Sequence, residues 1–251
     1  MVFHQNDSNA VLVSRADAKS QVVLICEHAS HHIPSELNDL GLSTTARHSH
    51  VAWDPGALAV AEAMSQRLGA TLVTSTVSRL VYDCNRPPEA RDAIAAKSET
   101  HDVPGNVGLT DRQKRDRVAR YYVPFRDAIA VQISRRERPV IVTMHSFTPV
   151  FHGKKRDVEI GILHDEDSRL ADALLGIDQP FTVRRNAPYG PEDGVTHTLK
   201  EHALEPGHLN VMVEVRSDLI ADSPSQGGMA EVLVSWLSQA LDKMEAAACK
   251  A

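Results

Sequence analysis

Three apolar runs of this 251-residue chain end in side chains that bind metals or move protons. Val22-Val23-Leu24-Ile25-Cys26 leads into Glu27-His28, Val140-Ile141-Val142-Thr143-Met144 into His145-Ser146, and Leu209-Asn210-Val211-Met212-Val213 into Glu214. In open α/β sheets, ligands bind outside the carboxyl ends of the strands. The pattern therefore places two imidazoles and a carboxylate on one rim. Two His and one carboxylate, with a water, form a catalytic zinc donor set, and a further carboxylate must then take the proton of that water. The third ligand is open on spacing. His31 stands at His-x-x-ligand distance from His28, and Asp54 follows Trp53 at the start of a helix. Glu27 adjoins His28, but neighbours on an extended chain point to opposite faces. A second cluster, Ser78-Arg79 and Asp83-Cys84-Asn85-Arg86, offers guanidinium forks for a carboxylate and an amide for a carbonyl. Ser30 and Ser146 are poor nucleophile candidates, since neither sits in a Gly-x-Ser-x-Gly elbow.

The elements that position these residues read as strands alternating with helices, which argues a mostly parallel α/β sheet. A short strand is expected at Val11 to Val13 and a short helical piece from Ser35, ended by Gly41. Ser43 and Thr44 cap a further turn. Leu58, Ala61, Met64 and Leu68 keep helical spacing up to the stop at Gly69. Ala70 to Val77 is the second strand. Residues 89–110 lack periodicity, and so long a loop suggests a functional flap near the site. Thr110 to Arg136 is a long helix with Val118, Tyr121, Tyr122, Phe125, Ile129 and Ile133 inward, and Pro124 as a kink point. Its Lys/Arg run from Arg112 to Arg120 is read as a solvated face. Val158 to Leu163 is a further strand, ending at His164-Asp165, and a helix follows through Leu170 and Leu174. Thr182 to Arg184 is an edge strand, and a helix from about Met229 to Ala246 closes the fold. There is no internal repeat or linker, so residues 1–20 form a lead-in and 21–251 a single domain.

Composition narrows the classes. At 42% hydrophobic residues the chain can bury a substantial core. A net charge of -6 offers no basic field for nucleic acid or an anionic membrane. Cys26, Cys84 and Cys249 are too scattered for a disulfide framework, which suggests a reducing compartment and a cytoplasmic location. No run reaches the roughly 20 apolar residues of a membrane span. Thirteen His beside four Tyr and two Trp is the oddity that makes metal or acid-base chemistry worth testing.

Taken together, His28-Ala29-Ser30, Trp53-Asp54, Ser78-Arg79, Asp83-x-Asn85-Arg86-Pro87, His145-Ser146 and Glu214 resemble the N-formylglutamate amidohydrolases. Closest is the branch with Cys-Glu-His-Ala-Ser, Ala-Trp-Asp-x-Gly-Ala and His-Ser-Phe-Thr-Pro. The likeness runs from about Val22 to Ile220. It implies a phosphorylase/hydrolase-like α/β fold related to zinc exopeptidases, one Zn2+ or another divalent transition metal, and cleavage of a formyl amide with N-formyl-L-glutamate as the expected substrate. In the histidine-degrading members a His follows the Trp where Asp54 stands here. That correspondence implies His28, Asp54 and His145 as the metal set, with an anionic ligand changing the charge at the metal. It further implies Glu214 as the proton carrier. Arg79, Arg86 and Asn85 hold the substrate carboxylate or the oxyanion, Glu27 and His50 orient ligands, and Asn186 and Tyr189 line the pocket. The partner is then a small anionic N-acyl amino acid. Alternatives are a zinc hydrolase of another N-acyl amino acid or small peptide, and a non-catalytic binder of an anionic ligand.

Overall fold

In the computed structural model, which describes residues 10–248, the apolar runs become strands of one seven-stranded sheet. In chain order they are β1 (Val11–Ser14), β2 (Val22–Cys26), β3 (Thr71–Ser75), β4 (Val140–Phe147), β5 (Ile160–Leu163), β6 (Val183–Arg185) and β7 (Leu209–Arg216). Across the sheet the order is β1-β3-β2-β4-β7-β5-β6. The block β3-β2-β4-β7 is parallel, as is the β5-β6 pair. Two joints are antiparallel, β1 on β3 and β5 on β7, so the sheet is mixed but mostly parallel. The β5 reversal has a simple cause. A parallel connection needs a long crossover, usually a helix, whereas only the small hairpin Val150–Phe151 with Lys154–Lys155 lies between β4 and β5. The chain therefore re-enters the sheet from the end it has just left.

Strand residues alternate between two cores, which is what burial on both faces requires. Val22, Leu24 and Cys26 pack with helices α1 (Ala57–Leu68), α4 (Arg169–Leu175) and α5 (Ser223–Ala248). Val23 and Ile25 pack on the other face with Tyr121, Phe125, Ile129 and Ile133. Those residues belong to α2 (Asp111–Arg117), a π-helical turn at Val118–Tyr122, and α3 (Val123–Ser134). Pro124 can donate no N–H to the helical ladder, and the chain answers with a widened turn just before it rather than a break. Thr110 and Gln113 form a capping box at the start of α2.

Four expectations need correction. β4 and β7 run on through His145-Ser146-Phe147 and Glu214-Val215-Arg216, because ladder pairing continues past the last apolar residue. Arg117, read as part of a solvated face, is buried and donates to the Val81 carbonyl and to Asn106 Oδ1. Asn106 in turn donates to the Leu80 and Ala95 carbonyls, so residues 89–110 are an anchored segment with its own hairpin, Lys97–Ser98 with His101–Asp102. Ala70 to Val77 is strand only over Thr71–Ser75. Cys26 and Cys84 are free and buried, and Cys249 lies outside the described residues, as do positions 1–9 of the lead-in. Among the described residues no helix is long and apolar enough to cross a membrane.

Candidate metal centre

Strand register fixes half of the site. Glu214 on β7 pairs with His145 on β4, so the two side chains rise side by side from one face of the sheet. Glu27, one residue beyond β2, keeps the parity of Val23 and Ile25 and lands on that same face, against His145. His28 follows as the strand ends and the backbone turns. Asp54 arrives from a separate loop that is pinned on both sides. Its N–H donates to the His28 carbonyl at 3.0 Å, and Ser146 Oγ donates to the Pro55 carbonyl at 2.8 Å. Gly56 makes the loop possible, with φ +83 and no room for a Cβ, which would lie 2.5 Å from the Ile220 carbonyl oxygen.

These elements bring Nδ1 of His28, Nδ1 of His145 and Oδ2 of Asp54 onto one point. The separations are 3.2 Å between the two nitrogens, and 3.3 and 2.9 Å from them to the carboxylate oxygen. The far nitrogen of each ring meets another carboxylate: His28 Nε2 lies 2.7 Å from Asp83 Oδ1, and His145 Nε2 lies 3.0 Å from Glu27 Oε2. The first is a hydrogen bond; the second is a close contact outside hydrogen-bond geometry. An ionised carboxylate only accepts, so each Nε2 carries the proton and each neutral ring turns a lone pair inward at Nδ1. Two N–H groups cannot face each other at 3.2 Å, so protons alone do not satisfy this trio. The three side chains are only 4%, 5% and 2% exposed, and they meet solvent through the cavity that they line. A cation fits: tetrahedral bonds of about 2.0–2.1 Å set ligand atoms roughly 3.3 Å apart. Carboxylates behind ligating imidazoles fix their tautomer and raise their basicity.

The surrounding carboxylates make this centre favour positive charge. Burial presses the His145 pKa down, but Glu27 and Asp54 outweigh it and hold it well above the ordinary imidazole range. For His28, burial and Arg79 lower the pKa while Asp83 and Asp54 raise it further, so it too ends above the usual value. Burial opposes ionisation of Asp54 and Asp83, yet His28 and His145 hold the first below the carboxylate range, and Arg79 and His28 the second. Glu214 goes the other way. Burial, opposed by His145 and reinforced by Asp54, lifts its carboxyl to about 7. Its Oε2 is buried without a hydrogen-bond partner, and its side chain lines the same cavity of about 270 Å³ as the three converging residues. A carboxyl with a raised pKa and an orphaned oxygen in a cleft is suited to carrying a proton.

The remaining expected residues divide. Arg79 enters the cavity, with Nη2 at 2.7 Å from Asp83 Oδ2 and a side chain still 28% exposed. Arg86 is instead a clamp: its Nε bonds Asp92 Oδ2 at 2.6 Å and its Nη1 the Asn85 and Gly194 carbonyls at 3.0 Å. Asn85 donates to the Val195 carbonyl and accepts from the N–H and hydroxyl of Thr198. Both line the cavity, but their polar groups hold residues 193–198 against it rather than reaching for a ligand. His50 pairs with Glu99 at the cavity wall, 2.9 Å away, and orients no ligand. Tyr189 lines the cavity, whereas Asn186 turns away and accepts the His164 N–H. Gly161, the register partner of Glu214, lets this loop approach: a Cβ there would lie 2.1 Å from the Ala187 carbonyl oxygen. His31 stacks on His48 and Trp53 away from the centre. Of the anchored segment 89–110, Ser98 and Glu99 reach the cavity, so its expected nearness to the site holds. Sequence reasoning missed Asp83 as the brace of His28, and it missed Arg156, stacked behind Tyr189.

The comparisons with known proteins bear on this geometry. The crystal structure of a gene product of Agrobacterium tumefaciens superposes with a TM-score of 0.94 at 53% identity, covering 95% of this chain and 97% of that one. The crystal structure of an N-formylglutamate amidohydrolase from Ralstonia eutropha JMP134 shares the fold, with a TM-score of 0.62 at 16% identity over 94% of this chain and 97% of that one. No curated protein matches. The family profile of N-formylglutamate amidohydrolase matches residues 20–221, and the chain belongs to that family.

Proposed function

We propose that this protein is a metal-dependent amidohydrolase that removes the formyl, or another acyl, group from an N-acyl amino acid, and that it works in the cytoplasm. The observation that carries the reading is the meeting of three buried donor atoms, each imidazole backed by its own carboxylate, beside the partnerless Glu214. His28, Asp54 and His145 would hold the ion, and zinc suits two imidazoles and a carboxylate. When bound, such an ion supplies Lewis acidity that polarises a carbonyl and makes water acidic near neutral pH.

The chain's own groups do the rest. Glu214 Oε2 takes a proton from the attacking water and hands it to the amide nitrogen as the C–N bond breaks, giving the free amine and, for a formyl group, formate. Arg79 is fixed by Asp83 at 2.7 Å and lies 3.6 Å from Asp54 Oδ1, and the part of its guanidinium still exposed in the cavity holds the substrate carboxylate in a charge-assisted contact. Asn85 and Arg86 keep residues 193–198 in place as a wall. The family's name makes N-formyl-L-glutamate the first substrate to try. The test is formate release from a panel of N-formyl amino acids, with metal content measured on the same preparation. Turnover that disappears on chelation and returns with zinc supports the reading. A metal-free protein that binds N-acyl amino acids without cleaving them supports a binding role instead.

A further inference from the structure

The cavity holds more than the reacting amide, and its charges are unevenly disposed. Beyond the converging trio and Glu214, its walls carry two arginines and two acidic residues. Arg86 is buried with its donors on Asp92 and on backbone carbonyls. Arg79, paired with Asp83 at 2.7 Å and with Asp54 at 3.6 Å, is the more exposed of the two, 28% against 10%, and offers its remaining face to a ligand. Glu99 and Asp193 stand on the same wall, the first tied to His50 and the second accepting the Gly190 N–H at 2.9 Å. A second carboxylate entering here meets the acidic side chains Glu99 and Asp193, and once Arg79 is engaged the wall's other guanidinium, Arg86, is already bonded to Asp92.

The same cavity has an aromatic surface. Phe147, Phe151 and Tyr189 line the cavity, and the Arg156 guanidinium sits over all three rings, 5.4, 4.5 and 5.0 Å from their centroids. Its Nη1 donates to the Thr148 carbonyl and hydroxyl at 3.2 and 3.3 Å, and its Nη2 to the Tyr189 hydroxyl at 2.9 Å. Arg156 is therefore a pin that holds the rings, and it is not itself among the residues that line the cavity. Rigid rings of this kind make a surface for an apolar or aromatic side chain.

Resting on the proposed amide hydrolysis, we infer that the preferred substrate carries a single carboxylate, held by Arg79, and an uncharged apolar or aromatic side chain laid against Phe147, Phe151 and Tyr189. The substrate class is then N-acyl derivatives of residues such as leucine or phenylalanine rather than of glutamate.

The test compares N-formyl-L-phenylalanine, N-formyl-L-leucine and N-formyl-L-glutamate with the zinc-loaded full chain. We expect kcat/KM for the first two to exceed that for the glutamate compound by about tenfold or more, the size a single mismatched pocket contact gives. Calorimetric binding to the zinc-loaded Glu214→Gln protein should follow the same order without turnover. Phe151→Arg, which places a cation on the wall, should narrow or invert the preference. Phe151→Ala should lower kcat/KM for the phenylalanine compound severalfold more than for N-formylglycine. Equal or better use of the glutamate compound by the unmodified protein overturns the inference while leaving the hydrolase intact. Apolar compounds that bind selectively but are never cleaved uphold the subsite and overturn the reaction. Failure of every compound to bind overturns both.

Discussion

His28 meets His145 and His31 meets His48 at nearly the same ring separation, 4.8 and 4.6 Å, and both pairs draw on the loop that follows β2. Their surroundings are opposite. Behind His28 stands Asp83 and behind His145 stands Glu27, with Asp54 between the rings. Around His31 stand the Trp53 ring and the bases His48, His32 and Arg47; burial first, then these neighbours, push its pKa down. His48 makes its bond to a backbone carbonyl, Thr44, at 2.8 Å. One pair is poised for a cation and the other repels it. The difference teaches that imidazoles close together do not make a metal centre. What makes one is the carboxylate behind each ring, which sets the tautomer and turns the lone pairs toward a common point.

Breaking the first pair should have the largest effect. His145→Ala removes a donor atom and leaves Glu27 buried without its partner, so the protein should lose its metal and its turnover should fall to background, read by metal analysis and formate release. Next comes Glu214→Gln, which should keep one metal per chain while kcat falls by about 10²- to 10⁴-fold, the range of a lost general base. Retained turnover in that variant removes Glu214 from the mechanism. Asp83→Asn keeps the shape behind His28 but weakens its tautomer control. Metal affinity measured against a chelator should drop by about 10- to 100-fold.

The pH dependence follows from Glu214, which acts as base only when ionised. Burial lifts its carboxyl to about 7, and a bound cation favours the carboxylate, so the acid limb of kcat/KM lies at or below that value. Activity should fall about tenfold per pH unit below the limb. Activity that climbs from neutral pH toward pH 5 contradicts the assignment. The smallest effect belongs to the second pair. His31→Ala should change kcat/KM by less than about twofold and leave metal content unchanged, and a large loss there would erase the distinction between the two pairs.

The three strand runs were legible because buried parallel strands are continuously apolar. Their ends were not, since His145 and Glu214 still pair in the ladder after apolar patterning has stopped. The β5 reversal depends on which rim the chain leaves from, which local pattern does not encode. Among site residues, spacing left Asp54 open against His31 and Glu27, and only the family resemblance singled it out as the partner that the fold brings to His28 and His145. Asp83 lies 55 positions from His28, and nothing in its local sequence links it to that ring. Asn85 and Arg86 misled because their types advertise ligand binding. Their partners, in residues 193–198, are more than 100 positions away and come near only in the fold.

The most direct test is a crystal structure of the protein purified without chelator, with anomalous scattering recorded at the zinc edge. The account requires one peak per chain bonded to Nδ1 of His28, Nδ1 of His145 and a carboxylate oxygen of Asp54, with both Nε2 atoms still on Asp83 and Glu27. No peak there after zinc has been supplied, or an ion held through Nε2, would contradict it.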